Sequence, residues 1–278
     1  MPPVPMPEPA YRERPRLGGM ALANGLLVHG PTHWAAAVRE DGGEIVVASG
    51  AKPRFVVPVV GELPVIRGIL RMAEAMAVLP AMRRAFPEAR FAFDSGPARL
   101  AIAATFAGGF IARRRLRSPL GQELASAAIG LAPAVVALRT SRAAAWHAVE
   151  HKSIAAYEAG GIDEVARADR YPKEHPRCGS NLIVPMVAAS VAANLLVRFV
   201  PGLRRHGARA VAGALAVGSA VELFAFATRN PGHPLARAVH GIGHTIQARI
   251  ATVEPDAAEM RVGVAALQEI CRVEGVAG

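Results

Sequence analysis

Apolar positions follow three different patterns along this chain. Between Leu17 and about residue 60 they come in short stretches punctuated by Gly18-Gly19 and Gly42-Gly43, and Glu44-Ile-Val-Val-Ala-Ser reads as a strand after a turn. From Leu63 to Phe86 the period lengthens. Leu63, Ile66, Leu70, Ala73, Ala77 and Met82 recur at helical spacing, with Arg67, Arg71 and Glu74 between them. A helix of this kind packs on a soluble core or lies at a membrane surface, and the pattern leaves both open.

Beyond residue 99 the pattern becomes one of long uncharged runs. Leu100–Ala112 gives 13 residues between Arg99 and Arg113, and Leu124–Leu138 gives 15 between Glu123 and Arg139. Cys178–Val197 gives 20, and Ala210–Thr228 gives 19 with Glu222 as its single charge. A membrane-spanning helix needs about 20 apolar residues. The third run qualifies, and the fourth qualifies apart from its carboxylate. The first two are short, although Arg side chains at their ends can snorkel and lengthen them. The runs pair as two hairpins, Leu100–Leu138 and Leu182–Thr228, rich in small residues that allow close helix contact in lipid.

Composition sharpens this picture. The 278 residues are 52% hydrophobic and only 19% charged, which excludes a disordered chain. Aromatics make up 5%, too few for a stacking platform on single-stranded nucleic acid. Cys178 and Cys271, the two cysteines, cannot build a disulfide framework. The formal charge of +10 borders the apolar runs, so it points to anionic lipid headgroups and away from nucleic acid. Of the 32 Lys and Arg residues, 24 lie outside the two hairpin connectors, which places the longer segments in the cytoplasm if all four runs cross. The connectors, Arg113–Arg117 and Arg198–Arg209, are themselves basic, so hairpins that penetrate without crossing fit as well.

The expected organisation is a mostly α-helical integral membrane protein of two apolar hairpins with a small N-terminal α+β soluble portion. A flexible leader covers residues 1–16, a β-containing and amphipathic-helix region 17–96, the hairpins 97–228 with an intervening segment 139–180, and a C-terminal cytoplasmic segment 229–278.

The sharpest chemical signal is Trp-His-Ala-Val-Glu-His-Lys over residues 146–152. His147 and His151 are four apart, so on a helix they project from one face and two imidazole nitrogens can meet one metal. Glu150 lies beside them in the H-x-x-E-H order of inverted zinc-peptidase motifs, where a carboxylate serves as general base. His175-Pro-Arg-Cys178 offers a further imidazole and a thiol on a turn before the strongest apolar run. Glu222 stands in the middle of an apolar run, where an unpaired carboxylate costs on the order of 2.5–3.5 kcal/mol or more, so it is either a ligand or neutralised by a proton or an Arg. Tyr157 and Glu158 are candidate partners of the site, Tyr157 as a polarising donor and both as supports for the metal-bound imidazoles. His240 and His244 are also four apart, but Gly241 and Gly243 weaken a helix there.

These blocks resemble the YqhQ-like family of bacterial membrane proteins, described as metal-dependent enzymes. The resemblance starts at Leu17-Gly-Gly-Met-Ala-Leu-Ala-Asn24-Gly, with Gly30-Pro31 and Ala37-Val38-Arg39 after it. It is most specific at His147-Ala-Val-Glu150-His151-Lys152, Tyr157-Glu158 and His175-Pro-Arg-Cys178-Gly179. It continues through Glu222, Gln247 and Thr252-Val-Glu254-Pro255-Asp256 and ends near residue 272. Asn24 stands where the family is expected to carry a carboxylate. The resemblance implies a metal site and residence in the bacterial inner membrane.

The expectation is therefore a membrane-embedded metal-binding protein, a zinc-dependent hydrolase with Glu150 and Tyr157 catalytic. His147 and His151 would be ligands of a divalent metal, zinc first, completed by Glu222 or else by His175 and Cys178. The alternative is a non-catalytic membrane scaffold or assembly factor with a structural His/Cys/Glu cluster. Partners in either reading are anionic lipid, other membrane proteins or a second copy of the chain.

Overall fold

The computed structural model describes residues 14–55, 63–200 and 207–276. Most of the expected leader and the middle of the second connector lie outside them. Four strands, β1 (Gly18–Ala21), β2 (Gly25–His29), β3 (His33–Arg39) and β4 (Ile45–Ala51), form an antiparallel meander in sequence order. The β3–β4 turn is where the Gly42-Gly43 pair predicts it, with Gly43 at φ 87°. Register sets Leu26 opposite Ala37 and Val28 opposite Ala35, while Leu27 faces Ala36, so alternate residues share each side.

Both sides of the sheet are covered, which explains why β3 reads as an unbroken apolar run. Leu26, Val28, Ala35 and Ala37 pack on α4 (Ala143–Gly160) and α9 (Ala257–Val273) through Trp146, Val149, Leu267 and Ile270. Leu27, Trp34, Ala36 and Val38 pack on α1 (Ile66–Ala85) through Val78 and Met82, and on Phe86 just past its end. The C-terminal segment therefore shares its core with the sheet: α9 closes one face. It starts on a capping box, Asp256 accepting from the Glu259 N–H and Glu259 from the Asp256 N–H.

Helix α1 answers the open question about residues 63–86 in two halves. Its C-terminal half belongs to the sheet's core, while its start lies against α7 (Ala208–Arg229), where Gly68 and Gly218 leave no room for a Cβ. At that contact Arg67 donates to both carboxylate oxygens of Glu222, at 2.7 and 2.5 Å. The carboxylate in the apolar run is neutralised by an Arg from a neighbouring helix.

The hairpins form as the uncharged runs indicate. α2 (Gly96–Arg115) and α3 (Pro119–Thr140) fold back across a three-residue link. Each starts on a serine cap followed by proline near its first position, with Ser95 and Ser118 accepting from Ala98 and Gly121. α6 (Ile183–Phe199) pairs with α7, and α8 (Pro234–Ile246) follows. Among the described residues three helices are long and apolar enough to cross a membrane: Pro119–Thr140, Gly179–Phe199 and Ala210–Arg229. α2 is not among them, in keeping with its run of only 13 uncharged residues. On these helices Phe106, Phe110, Leu124, Leu196, Phe199 and Val211 are exposed. Between the hairpins, Glu123 accepts from Asn194 at 2.9 Å, a polar link between α3 and α6.

Candidate metal centre

Helix α4 is the axis of the site, and its place is fixed at several points. The Trp146 indole N–H donates to the Ala23 carbonyl at 3.1 Å in the β1–β2 turn. On another side, buried Lys152 donates to the carbonyls of Asp169 and Tyr171 and pairs with Glu254 at 2.6 Å. It thereby holds the loop that follows the short helix α5 (Ile162–Val165) against α4.

His147 and His151 lie one turn apart with ring centroids 4.3 Å apart and the rings tilted by 56°. Their outer nitrogens meet backbone carbonyls: His147 Nδ1 lies 3.0 Å from Ala251 O and His151 Nδ1 2.6 Å from Lys173 O. A carbonyl only accepts, so both Nδ1 atoms carry the proton and both Nε2 atoms present a lone pair inward. The Pro176 turn brings Cys178 between them, with Sγ 3.2 Å from His147 Nε2. That sulfur also accepts from the Ser180 N–H at 3.3 Å. The ligand atoms of His147, His151 and Cys178 all lie within 4.8 Å of one another.

This donor set fits a metal. Zinc bond lengths imply donor separations of about 3.3–3.6 Å, against 3.2 Å between Cys178 Sγ and His147 Nε2 and a bound of 4.8 Å for the whole group. Each imidazole already has the hydrogen bond to a carbonyl that ligating histidines use to fix tautomer and ring orientation. His151 Nε2 is buried without a hydrogen-bond partner among the described residues, a costly state that an ion would relieve. Burial lowers the His151 pKa, so the imidazole is neutral and ready to coordinate.

Glu150 is buried beside the group, and burial raises its pKa although His147 and His175 oppose this. Its side chain lies flat on β1: a Cβ on Gly19 would come within 2.7 Å of Glu150 Cγ, Cδ and Oε1. The Gly-Gly pair of the first block thus makes room for the carboxylate of the H-x-x-E-H motif. His147 is only partly buried, so the group opens to the surface on its side.

The other expected site residues lie elsewhere or play different parts. His175 stands next to the group, its ring 5.8 Å from that of His151, but both its nitrogens are taken. Nδ1 accepts from the Arg177 N–H and Nε2 donates to Glu158 at 3.2 Å, while burial lowers its pKa to about 4. Glu158, expected to support the histidine pair, instead joins His175 and the Arg177 guanidinium. Glu222 is engaged by Arg67 and is not part of the group, so the third ligand position falls to Cys178. Tyr157 needs correcting too. Six residues past His151, it is rotated off the histidine face of α4 and is buried in the core with Leu26, Leu267 and Cys271. Its hydroxyl has no partner among the described residues, and burial pushes its pKa up to about 12. Asn24 brackets residues 88–90, donating to Glu88 O and accepting from the Arg90 N–H; a carboxylate could not donate there.

Sequence reasoning missed the backbone carbonyls of Lys173 and Ala251. The second comes from a π-helical turn, Gln247–Ala251, at the end of α8, the kind of local widening that often accompanies a site. The Gln247 side chain in that turn accepts from the His175 N–H at 2.7 Å, which links the turn to the Pro176 loop.

Residues 134–273 match a family described as protein of unknown function (DUF1385). The chain belongs to that family. The match begins inside α3 and runs to the end of α9, so it takes in every residue of the His/His/Cys group, Glu150 and the π-helical turn, while the sheet precedes it. No curated protein and no solved structure matches the chain.

Proposed function

We propose that this chain is a membrane-embedded metalloprotein that holds one soft divalent ion, zinc first, on His147, His151 and Cys178 and uses it in hydrolysis. The observation that carries this reading is the grouping of ligand atoms from His147, His151 and Cys178 within 4.8 Å of one another, with both Nδ1 atoms engaged by Ala251 O and Lys173 O. A thiolate among the donors favours zinc over calcium or magnesium. Three donors, with His147 partly exposed, leave a coordination position for water or substrate, whereas a closed set of four would favour a structural site and the scaffold reading.

A bound zinc ion would supply a Lewis acid that makes water a nucleophile at neutral pH. Glu150 takes the proton: it is the carboxylate of the motif, and its raised pKa brings it closer to neutral, where a general base works best. Its burial against Gly19 holds it in place. Cys178 immediately precedes Gly179–Phe199, so in a bilayer the group would lie at the membrane surface. The resemblance to YqhQ-like bacterial membrane proteins supports membrane residence, and the 24 Lys and Arg residues outside the connectors support larger segments on the cytoplasmic side. Elemental analysis of the purified full chain tests the reading: one zinc per chain is expected, lost in His147→Ala and kept in Glu150→Gln. A metal-free wild-type chain after loading with zinc overturns it.

A further inference from the structure

We infer that the end of α3 carries a binding pocket for the phosphate headgroup of an anionic lipid. A cavity of about 370 Å³ opens where α3 meets α4, with Arg139, Arg142 and Arg249 around it and no carboxylate in its lining. Arg142 is held from behind by buried Glu259, at 2.8 and 2.7 Å, which fixes its guanidinium and neutralises its charge. Arg139 and Arg249 are exposed and form no ion pair among the described residues, so two positive charges face the opening uncompensated. Planar guanidinium groups recognise phosphate oxygens in pairs, and two uncompensated charges suit a group carrying one to two negative ones.

The rest of the lining selects a lipid over free phosphate. Leu138, Ile250 and Val253 form an apolar side, so the pocket matches the junction between a headgroup and its chains. Its position agrees: Arg139 lies in the last turn of a helix long and apolar enough to cross a membrane, at the level where phosphates lie in a bilayer. The pocket also adjoins the His/His/Cys group. Ala144 in its wall is three residues before His147, about 4.5 Å of helix rise. Ile250 precedes Ala251, whose carbonyl orients His147. A lipid phosphate held here is therefore set beside the group, yet the pocket stands on its own residues and needs no metal.

The test titrates the full chain in detergent with dihexanoyl phosphatidic acid, dihexanoyl phosphatidylcholine and inorganic phosphate, read by native mass spectrometry. Zinc content is measured in the same samples. Saturable binding of the phosphatidic acid is expected, at least about tenfold tighter than of the choline lipid or inorganic phosphate. It should weaken by a similar factor in Arg139→Gln/Arg249→Gln and persist in Arg114→Gln/Arg115→Gln, which removes the same charge at the other end of the hairpin. Equal binding by wild type and the first pair, or equal loss in both pairs, overturns the pocket. Inorganic phosphate bound as tightly as phosphatidic acid overturns the lipid assignment. Because these outcomes do not depend on zinc, a metal-free chain that still binds the lipid separates this proposal from the metal reading.

Discussion

Replacing Cys178 with Ser tests the metal centre with the least disturbance to the fold. The side chain keeps its size, and a hydroxyl can still accept from the Ser180 N–H, as Sγ does at 3.3 Å, and still reach His147 Nε2. Without metal the substitution should cost no more than about 1 kcal/mol, one hydrogen bond of altered strength. With metal the difference is larger. Zinc at a hundred times its dissociation constant stabilises the folded chain by about 2.7 kcal/mol. The ion would tie α4 to the Pro176 turn, so that energy should appear as a thermal midpoint raised by about 5–10 °C for a chain of this size. Removing one of three ligands should weaken affinity at least about a hundredfold, because even supporting residues around a metal are worth 10–100-fold. At the same zinc concentration the variant then gains only about 0.4 kcal/mol, a rise of about 1–2 °C. The assay is thermal unfolding of the detergent-solubilised chain with zinc and with chelator, for wild type and variant side by side. A zinc-dependent rise of equal size in Cys178→Ser, or none in wild type, would refute the three-donor geometry.

Two other substitutions probe the structure away from the group. His29 is kept neutral by burial and by Lys52, whose Nζ lies 3.3 Å from Nδ1, so its pKa falls from 6.5 to about 4. Between those values the unfolded chain binds a proton that the folded chain refuses. Stability is therefore full above about pH 6.5 and falls as the pH drops toward 4, by up to about 1.4 kcal/mol per unit from this residue. His29→Gln should flatten that slope by one proton's share in urea unfolding at several pH values, and an unchanged slope would reject the cause. Glu222→Gln should leave zinc content unchanged, because the carboxylate serves Arg67 and α1 rather than the metal. Loss of zinc in that variant would restore Glu222 as a ligand.

Sequence alone determined much of this protein. The short apolar stretches after Leu17, the change to a helical period at Leu63 and the long uncharged runs after residue 99 correspond to the sheet, α1 and the two hairpins, because each pattern reports burial at the repeat of its own element. The spacing of His147 and His151 put both imidazoles on one face for the same reason: a turn of helix is a local property. What completes the pair is not local. Glu222, or else His175 with Cys178, was the candidate along the chain, and only the packing of α1 on α7, which gives Glu222 to Arg67, and the return of the Pro176 turn to α4 separated them. Tyr157 looked like a neighbour of the site because sequence distance hides rotation; six residues on, the helix had turned it into the core between sheet and α9. The carbonyls of Ala251 and Lys173 left no trace in the sequence, since every residue has one and only tertiary structure decides which of them meets an imidazole.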